Sequence, residues 1–545
     1  MDGHNTSMAP GWIHRQLPLL VLIFSALMLV CVFPPLEWLF LVWFVLVPLL
    51  WYTDTVSIKK AFLLSYLYGV VFFAGLLYWV VYVTVPGAVV LVLYLAVYFP
   101  FFILSIRFIR NILCIPYLVS APLVFCFTEY LRSIVMTGLP WDNIGYAFAT
   151  DLPFIQIIEF TGTAGLSFLA VCGNVLIYSL LCKAAWCKRK YGCWYIKFKE
   201  YAVLLIGCFV FLLFVIGIRM WGMNRLEYID SLQSTASLRI ALIQANIAQM
   251  EKWDARFKAG ILKKYDALTR QAAVHNPDII IWPESSLPGF FRYDENSTYT
   301  VFSLLADLKI PMVFGGNRVE YIDDRVFYYN SAYYAVPDND SVRTYDKIHL
   351  VPYGEYIPQK KVLTQLVPRL ESVVPFEDFT PGKSVELFVI NDVSFGVSIC
   401  YEDIFPDLIR KIPLAGAQFI VNITNDAWYL HSSAPFQHFG MSVFRAIENR
   451  KPLIRCANTG ITGWVTPAGE TDLFYGSRGS VIFDEGYKII NVPIYDGPAT
   501  FYTKHGEWFL YLCSMISGIL LCLSCVYYVA KTMLRINEVK YVRRN

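Results

Sequence analysis

The chain has 545 residues, of which 57% are hydrophobic and only 16% charged, and its formal charge is +3 at neutral pH; soluble domains carry about 25% charged residues. That balance excludes an ordinary soluble globular protein, and so small an excess of positive charge gives no basis for a nucleic-acid partner. The apolar residues are also unevenly placed, in long runs before residue 220 and again after residue 507.

A bilayer core takes about 20 apolar residues per helix. In chain order such runs fall at 17–33, 36–52, 61–83, 88–106, 113–129, 154–182, 201–220 and 508–530, the first two separated by Pro34 and Pro35. An α-helical membrane bundle of about eight transmembrane helices is therefore expected. The first run reads as an uncleaved span, because others follow closely and no small-residue cleavage site is visible. Basic residues orient the bundle. They gather at Lys59 and Lys60, at Arg107 and Arg110, between Lys183 and Lys199, and in the tail from Lys531 to Arg544, whereas the alternate loops, such as TVPG at 84–87, carry almost none. Both termini are thus expected in the cytoplasm. The segment 237–495, entered after seven spans, is expected on the opposite side, the periplasm of a two-membrane bacterium. The chain then divides into a transmembrane bundle at 1–236, an exported domain at 237–495, and a last helix with a cytoplasmic tail at 496–545.

Within the exported segment the pattern changes to short β-rich stretches alternating with amphipathic ones. LRIALIQANI, DIIIWPE, IPMVFGGNRV, FYYNSAYYAV, FGVSICYE, QFIVNITND, PLIRCANTG and ITGWVTPAG read as strands and 256–274 as a helix. Apolar strands with intervening helices predict an α/β domain whose sheets are covered by helices. Of thirteen cysteines only Cys400 and Cys456 fall here, and no paired CxxC spacing predicts a metal site. A Cys400–Cys456 disulfide would consume a nucleophile, so Cys456 is read as a small residue of a core strand.

Three residues stand at the ends of these strands. Glu284 ends the apolar DIIIWPE, where a carboxylate is costly unless partnered. Lys347 lies in YDKIHLVPYGEYIP, where packing gives no reason for a lysine, and Cys400 follows FVINDVSFGVSI at a turn into a helix. A thiol, a carboxylate and an amine are the parts of covalent acyl chemistry: the thiolate attacks a carbonyl, the carboxylate moves protons and the ammonium steadies the oxyanion. Taken singly, Glu284 also fits a turn or helix cap, and Lys347 a snorkelling surface lysine.

The order Glu, Lys, Cys with these flanks resembles the nitrilase superfamily. LVPYGEYIP, CYEDIFP and TNDAWY…SSAPFQH, set in a chain with apolar spans on either side, resemble its membrane branch, the apolipoprotein N-acyltransferases. The resemblance implies a nitrilase-like αββα sandwich and a Glu284–Lys347–Cys400 triad without metal or other cofactor. It further implies transfer of a fatty acyl chain from a membrane phospholipid, through a cysteine thioester, to the N-terminal cysteine of a diacylated apolipoprotein at the inner membrane. It makes Glu355 an orienting partner of Lys347 and has Tyr401 lend its backbone N–H. It gives Glu402 a supporting role, beside a simpler one as a charge near a helix start, and makes Trp253 a substrate contact, beside one as a packed tryptophan. PGFFRY at 288–293 and VLTQLVPRL at 362–370 are either lid segments or loops packed on one another. Glu129 and Arg132, in the similar stretch TEYLRS, either pair structurally or meet a lipid head group.

Overall fold

The computed structural model describes residues 11–191, 198–252, 254–358, 360 and 378–542. The chain divides into two compact units: Met1–Thr150 with Thr163–Met220 and Trp508–Asn545, and Asp151–Gly162 with Trp221–Glu507.

The first unit is helical. Among the described residues six helices are long and apolar enough to cross a membrane: Ile58–Leu76, Val85–Leu113, Tyr117–Thr137, Thr163–Lys190, Tyr201–Asp230 and Trp508–Ile536. Eight were expected; the first two runs give only the shorter helices Leu17–Val30 and Leu39–Asp54. The reason is local. Turns occupy the Pro34–Pro35 segment, and the second run opens as the 3-10 helix Leu39–Trp43 before an α-helix starts at Val47 with proline in its first turn. The predicted run 154–182 is likewise broken. Gly162, at φ +62°, ends a pair of one-turn helices before the long helix Thr163–Tyr191 begins.

Several buried polar groups in this unit are bonded within it. Asn174 donates to Val42 O at 2.7 Å and accepts from Leu46 N at 2.8 Å, which holds the irregular second segment. Asp54 accepts from Tyr117 and Tyr178, both at 2.7 Å, and pairs with Arg110 at 2.7 Å. Glu129 and Arg132 are buried. Glu129 accepts from Ile144 N at 2.9 Å, and Arg132 donates to Trp141 O at 2.9 Å and to Asn143. Both therefore fix the loop that follows their own helix.

The second unit contains two six-stranded sheets. The first is ordered β12-β1-β2-β3-β4-β5, and the second β11-β10-β9-β8-β7-β6. The first sheet uses β1 Ala236–Gln244, β2 Ile279–Ile281, β3 Met312–Ile322, β4 Arg325–Ala335, β5 Arg343–Asp346 and β12 Gly486–Ile494. The second uses β6 Leu387–Ile390, β7 Val393–Ile399, β8 Phe419–Thr424, β9 Leu453–Ala457, β10 Gly463–Val465 and β11 Thr471–Leu473. Strands β1, β2 and β3 run parallel, as do β7, β8 and β9, and the outer strands are antiparallel. The two sheets meet through β1 with β9 and β4 with β7. Cys456 marks that interface: its thiol lies 3.4 Å from Ile243 O and 3.2 Å from Ile281 O.

Helix Lys258–Ala273 covers the outer face of the first sheet, and helix Ala434–Asn449 packs on β9 and β10. The central strands are buried on both faces, which is why they read as unbroken apolar runs. The segment Asp151–Gly162 is clipped to this unit by Arg450, whose guanidinium reaches Gln156 Oε1 and Glu159 Oε2, both at 2.6 Å.

Candidate active site

The carboxyl ends of β2, β5 and β7 deliver Glu284, Lys347 and Cys400 to one place. Lys347 is 1% exposed, and its Nζ donates to Glu355 Oε1 at 2.9 Å and to Glu284 Oε1 at 3.4 Å. Asn330, in the middle of β4, completes the arrangement: its Nδ2 donates to Glu284 Oε1 at 2.8 Å and to Glu355 Oε1 at 2.7 Å. The two hydrogens of one amide nitrogen thus hold the two carboxylates side by side. Burial works against the Lys347 ammonium, but the Glu355 and Glu284 carboxylates hold it well above the ordinary lysine range.

The backbone around these groups is tightly fixed. Lys347 N donates to Asn330 O at 2.8 Å, and Val351 N to Glu355 Oε2 at 2.7 Å. Gly315 on β3 lies against the Glu284 backbone, and a Cβ there would sit 2.6 Å from Glu284 Cα. Only glycine permits that approach.

Cys400 begins a 3-10 turn at the end of β7 with φ +53°, a left-handed conformation unusual for a residue with a side chain. Asn422 Nδ2 donates to Cys400 O at 3.1 Å. Burial pushes the thiol well up, the Glu284 carboxylate adds to this, and Lys347 pulls it down. A lysine ammonium beside a thiol favours the thiolate. The lysine acts in that direction, but desolvation outweighs it. Tyr401 is buried, its ring 5.1 Å from Phe405 and 5.8 Å from His349.

Glu402 makes a different set of contacts. Its Oε1 accepts from Ile348 N at 2.7 Å, His349 N at 3.1 Å and Tyr345 OH at 2.9 Å. Its Oε2 accepts from Ile399 N at 2.7 Å and from the same hydroxyl at 2.9 Å. One carboxylate therefore ties the turn after Lys347 to the strand end before Cys400. Burial pushes it up to about 7, against the Ile399 and His349 donors, the Lys347 charge and the Tyr345 hydroxyl.

Beneath the Cys400 turn lies a second charged cluster that sequence reasoning missed. Asp403 and Asp426, which follow β7 and β8, bracket His438 at 2.7 and 3.1 Å. Arg455 on β9 reaches Asp403 at 2.6 Å and Asn422 Oδ1 at 2.9 Å. Burial would raise both aspartates, yet His438 and Arg455 hold them below the usual carboxylate range. Also missed was Lys252, 5% exposed, whose Nζ donates to Glu284 O at 3.3 Å. Its neighbour Trp253 lies outside the described residues, as does VLTQLVPRL at 362–370. The phenylalanines of PGFFRY are packed, whereas Arg292 and Tyr293 are exposed: Phe291 belongs to the core between the first sheet and its helices, 5.0 Å from Phe314, and Phe290 lies 5.7 Å from Tyr328.

The fold defines a nitrilase-type α/β domain carried by a chain rich in membrane-length apolar helices. Residues 239–496 match the family model for carbon-nitrogen hydrolases, and residues 25–176 that for the apolipoprotein N-acyltransferase N-terminal domain. An apolipoprotein N-acyltransferase from Geobacter metallireducens is 36% identical over 507 residues, 91% of this chain and 92% of that protein. One from Haemophilus ducreyi is 31% identical over 491 residues, 86% of this chain and 89% of that protein. A solved nitrilase-superfamily amidase from Nesterenkonia AN1 is similar at 17% identity, with a TM-score of 0.36 over 52% of this chain and 98% of that one. The chain belongs to the apolipoprotein N-acyltransferase family.

Proposed function

We propose that the protein moves a fatty acyl chain from a membrane phospholipid to the α-amino group of the diacylglyceryl-modified N-terminal cysteine of apolipoproteins, by a ping-pong route through a thioester on Cys400. The observation that carries this reading is the buried meeting of Glu284, Lys347, Glu355 and Cys400 at three strand ends, within a chain whose relatives are named for this activity. In the first half-reaction Glu284 takes the Cys400 proton, and Sγ bonds to the ester carbonyl carbon. The C–O bond breaks, and Glu284 returns the proton to the leaving alkoxide, giving a lysophospholipid. In the second, Glu284 takes a proton from the acceptor amine, nitrogen bonds to the acyl carbon, and the C–S bond breaks. The proton then restores the thiol.

In both tetrahedral states Lys347 Nζ and the Tyr401 N–H face the oxyanion. The resting enzyme holds Cys400 as a buried thiol, so nucleophile activation is coupled to proton transfer. Glu355 and Asn330 hold Lys347 and Glu284 in register, and Trp253 is assigned to substrate contact. The domain of residues 237–495 faces the periplasm and both termini are cytoplasmic, an orientation that the alternating basic loops support, and the protein resides in the inner membrane.

Phospholipid alone should add one fatty-acyl mass to the purified protein with a stoichiometric burst of lysophospholipid. That mass should map to Cys400, be released by hydroxylamine, and chase onto a diacylated lipopeptide. Cys400→Ala should show none of it. Transfer to the lipopeptide with no adduct on Cys400 would overturn the covalent route.

A further inference from the structure

Charge at the reaction centre does not balance on the triad and its orienting glutamate alone. Glu284 and Glu355 share the single ammonium of Lys347, and all three groups are nearly buried. While Cys400 is a thiol, two carboxylates and one ammonium leave one net negative charge out of water. Moving the Cys400 proton to Glu284 leaves that total unchanged. Asn330 and the Val351 N–H offset part of the cost of that charge as neutral donors, and a second cation would offset more.

Lys252 is placed to be that cation. It lies in the turn after β1, in the stretch QMEKWD, 5% exposed. Its Nζ donates to the main-chain carbonyl of Glu284 at 3.3 Å, and its charge acts directly on the Glu284 carboxylate and on Cys400. No part of the mechanism above uses it. We propose that Lys252 is a positioning residue of the acyl transfer, whose ammonium keeps the Glu284–Glu355 pair ionised and anchors the Glu284 backbone, so that Glu284 enters each half-reaction as a proton acceptor. This rests on the roles given to Glu284 and Cys400 under Proposed function.

The balance of forces on Lys252 fits the part. Burial pulls its ammonium down to about 7, against the pull of Glu284 and Cys400. It is therefore charged on the acid side of neutrality and discharged on the alkaline side. The other groups facing this centre are Lys347 and Glu355, with Asp426 and Tyr429 acting on Cys400 and Glu402 lying beyond it. All of them are common to parent and variants and cancel in the comparison.

The test is the burst rate of Cys400 acylation by phospholipid as a function of pH, in full-length protein. Removing the cation takes a positive charge away from Glu284 and Cys400. Lys252→Met should therefore shift the acid limb upward by about one pH unit or more, about tenfold slower at a fixed acid pH, and converge with the parent at alkaline pH. Lys252→Gln keeps a donor to Glu284 O without the charge, and should show the same shift even if the methionine variant folds poorly. Lys252→Arg should restore the parental limb. Profiles of the Met and Gln variants that superimpose on the parent would overturn the proposal. So would a uniform loss at every pH, as expected from lost packing alone. A parent that forms no Cys400 adduct would instead sink the thioester reading, and this inference with it; an adduct-forming parent with unshifted variants sinks only this one.

Discussion

Glu402→Gln separates a carboxylate that holds the site together from one that touches the acceptor. The side chain keeps its shape but exchanges one acceptor oxygen for an NH2 group. Oε1 takes two main-chain donors and Oε2 takes one, with the Tyr345 hydroxyl shared between them. The better orientation of the new amide leaves its carbonyl at the Oε1 position, so its NH2 confronts the Ile399 N–H. The other orientation confronts both Ile348 and His349. One orphaned buried donor costs about 1–3 kcal/mol, and here it falls on the residue preceding Cys400. A tenfold rate change corresponds to about 1.4 kcal/mol. Acylation of Cys400 should accordingly slow by about 10- to 100-fold, and thermal stability should fall. Because both half-reactions of the proposed route pass through the same oxyanion, transfer from a preformed adduct should slow by a similar factor. Intact-mass burst kinetics and a single-turnover chase measure the two rates separately. Parental adduct formation with a selective loss of transfer would refute the positioning role and place Glu402 against the acceptor amine.

Three further outcomes follow from the same geometry. Lys347→Met removes the proposed oxyanion donor, a loss worth about 2.7–4 kcal/mol of transition-state stabilisation, so the lysophospholipid burst should slow by about two to three orders of magnitude; a near-parental burst removes Lys347 from the mechanism. Because the Cys400 thiol is raised, its thiolate fraction and its alkylation by a small neutral reagent should climb with pH beyond the ordinary thiol range. The reaction should be slower in Lys347→Met, which lacks the group that pulls the thiol down, and a plateau below neutrality in the parent would contradict this. In a protein otherwise cleared of reactive cysteines, Tyr299→Cys, at a position 75% exposed, should react with an impermeant thiol reagent from outside the inner membrane, whereas Lys190→Cys should not. The reverse labelling would invert the topology.

The central strands were legible because they are buried on both faces, so that their sequences are apolar without alternation. Outer strands were less so: β12 alternates exposed and buried positions next to a loop rich in glycine, and β5 is four residues long. The membrane runs were legible as apolar mass but not as continuous helices. Hydropathy does not register a chain reversal at two prolines, nor the break at Gly162 that assigns Asp151–Gly162 to the α/β unit. Glu284, Lys347 and Cys400 stood out because each is a reactive group at the end of an apolar run. Asn330 had the same claim, an amide in the middle of FYYNSAYYAV that β4 buries. It passed unnoticed because an asparagine carries no chemistry of its own; its value lies in having two hydrogens for two carboxylates.

Arg455 shows what a stricter reading of the same rule gives. It sits in the middle of LIRCA, a five-residue strand with every position buried. A guanidinium there is untenable without carboxylates within reach. The partners need not be near in sequence, but a parallel sheet restricts where they stand. The register pairs Arg455 with Asn422 on β8 and Asn422 with Ser398 on β7. Acidic residues a few positions beyond those two, past the carboxyl ends of the same strands, then come within the span of one arginine. Asp426 and Asp403 are those residues, and His438 from the covering helix bridges them. The cluster therefore braces the turns that leave β7 and β8 from below, and the β7 turn begins with Cys400. The same sheet edge that presents Cys400 thus carries its own buried counter-charges, which makes an arginine within an apolar strand a pointer to the end of the sheet where the active site is proposed.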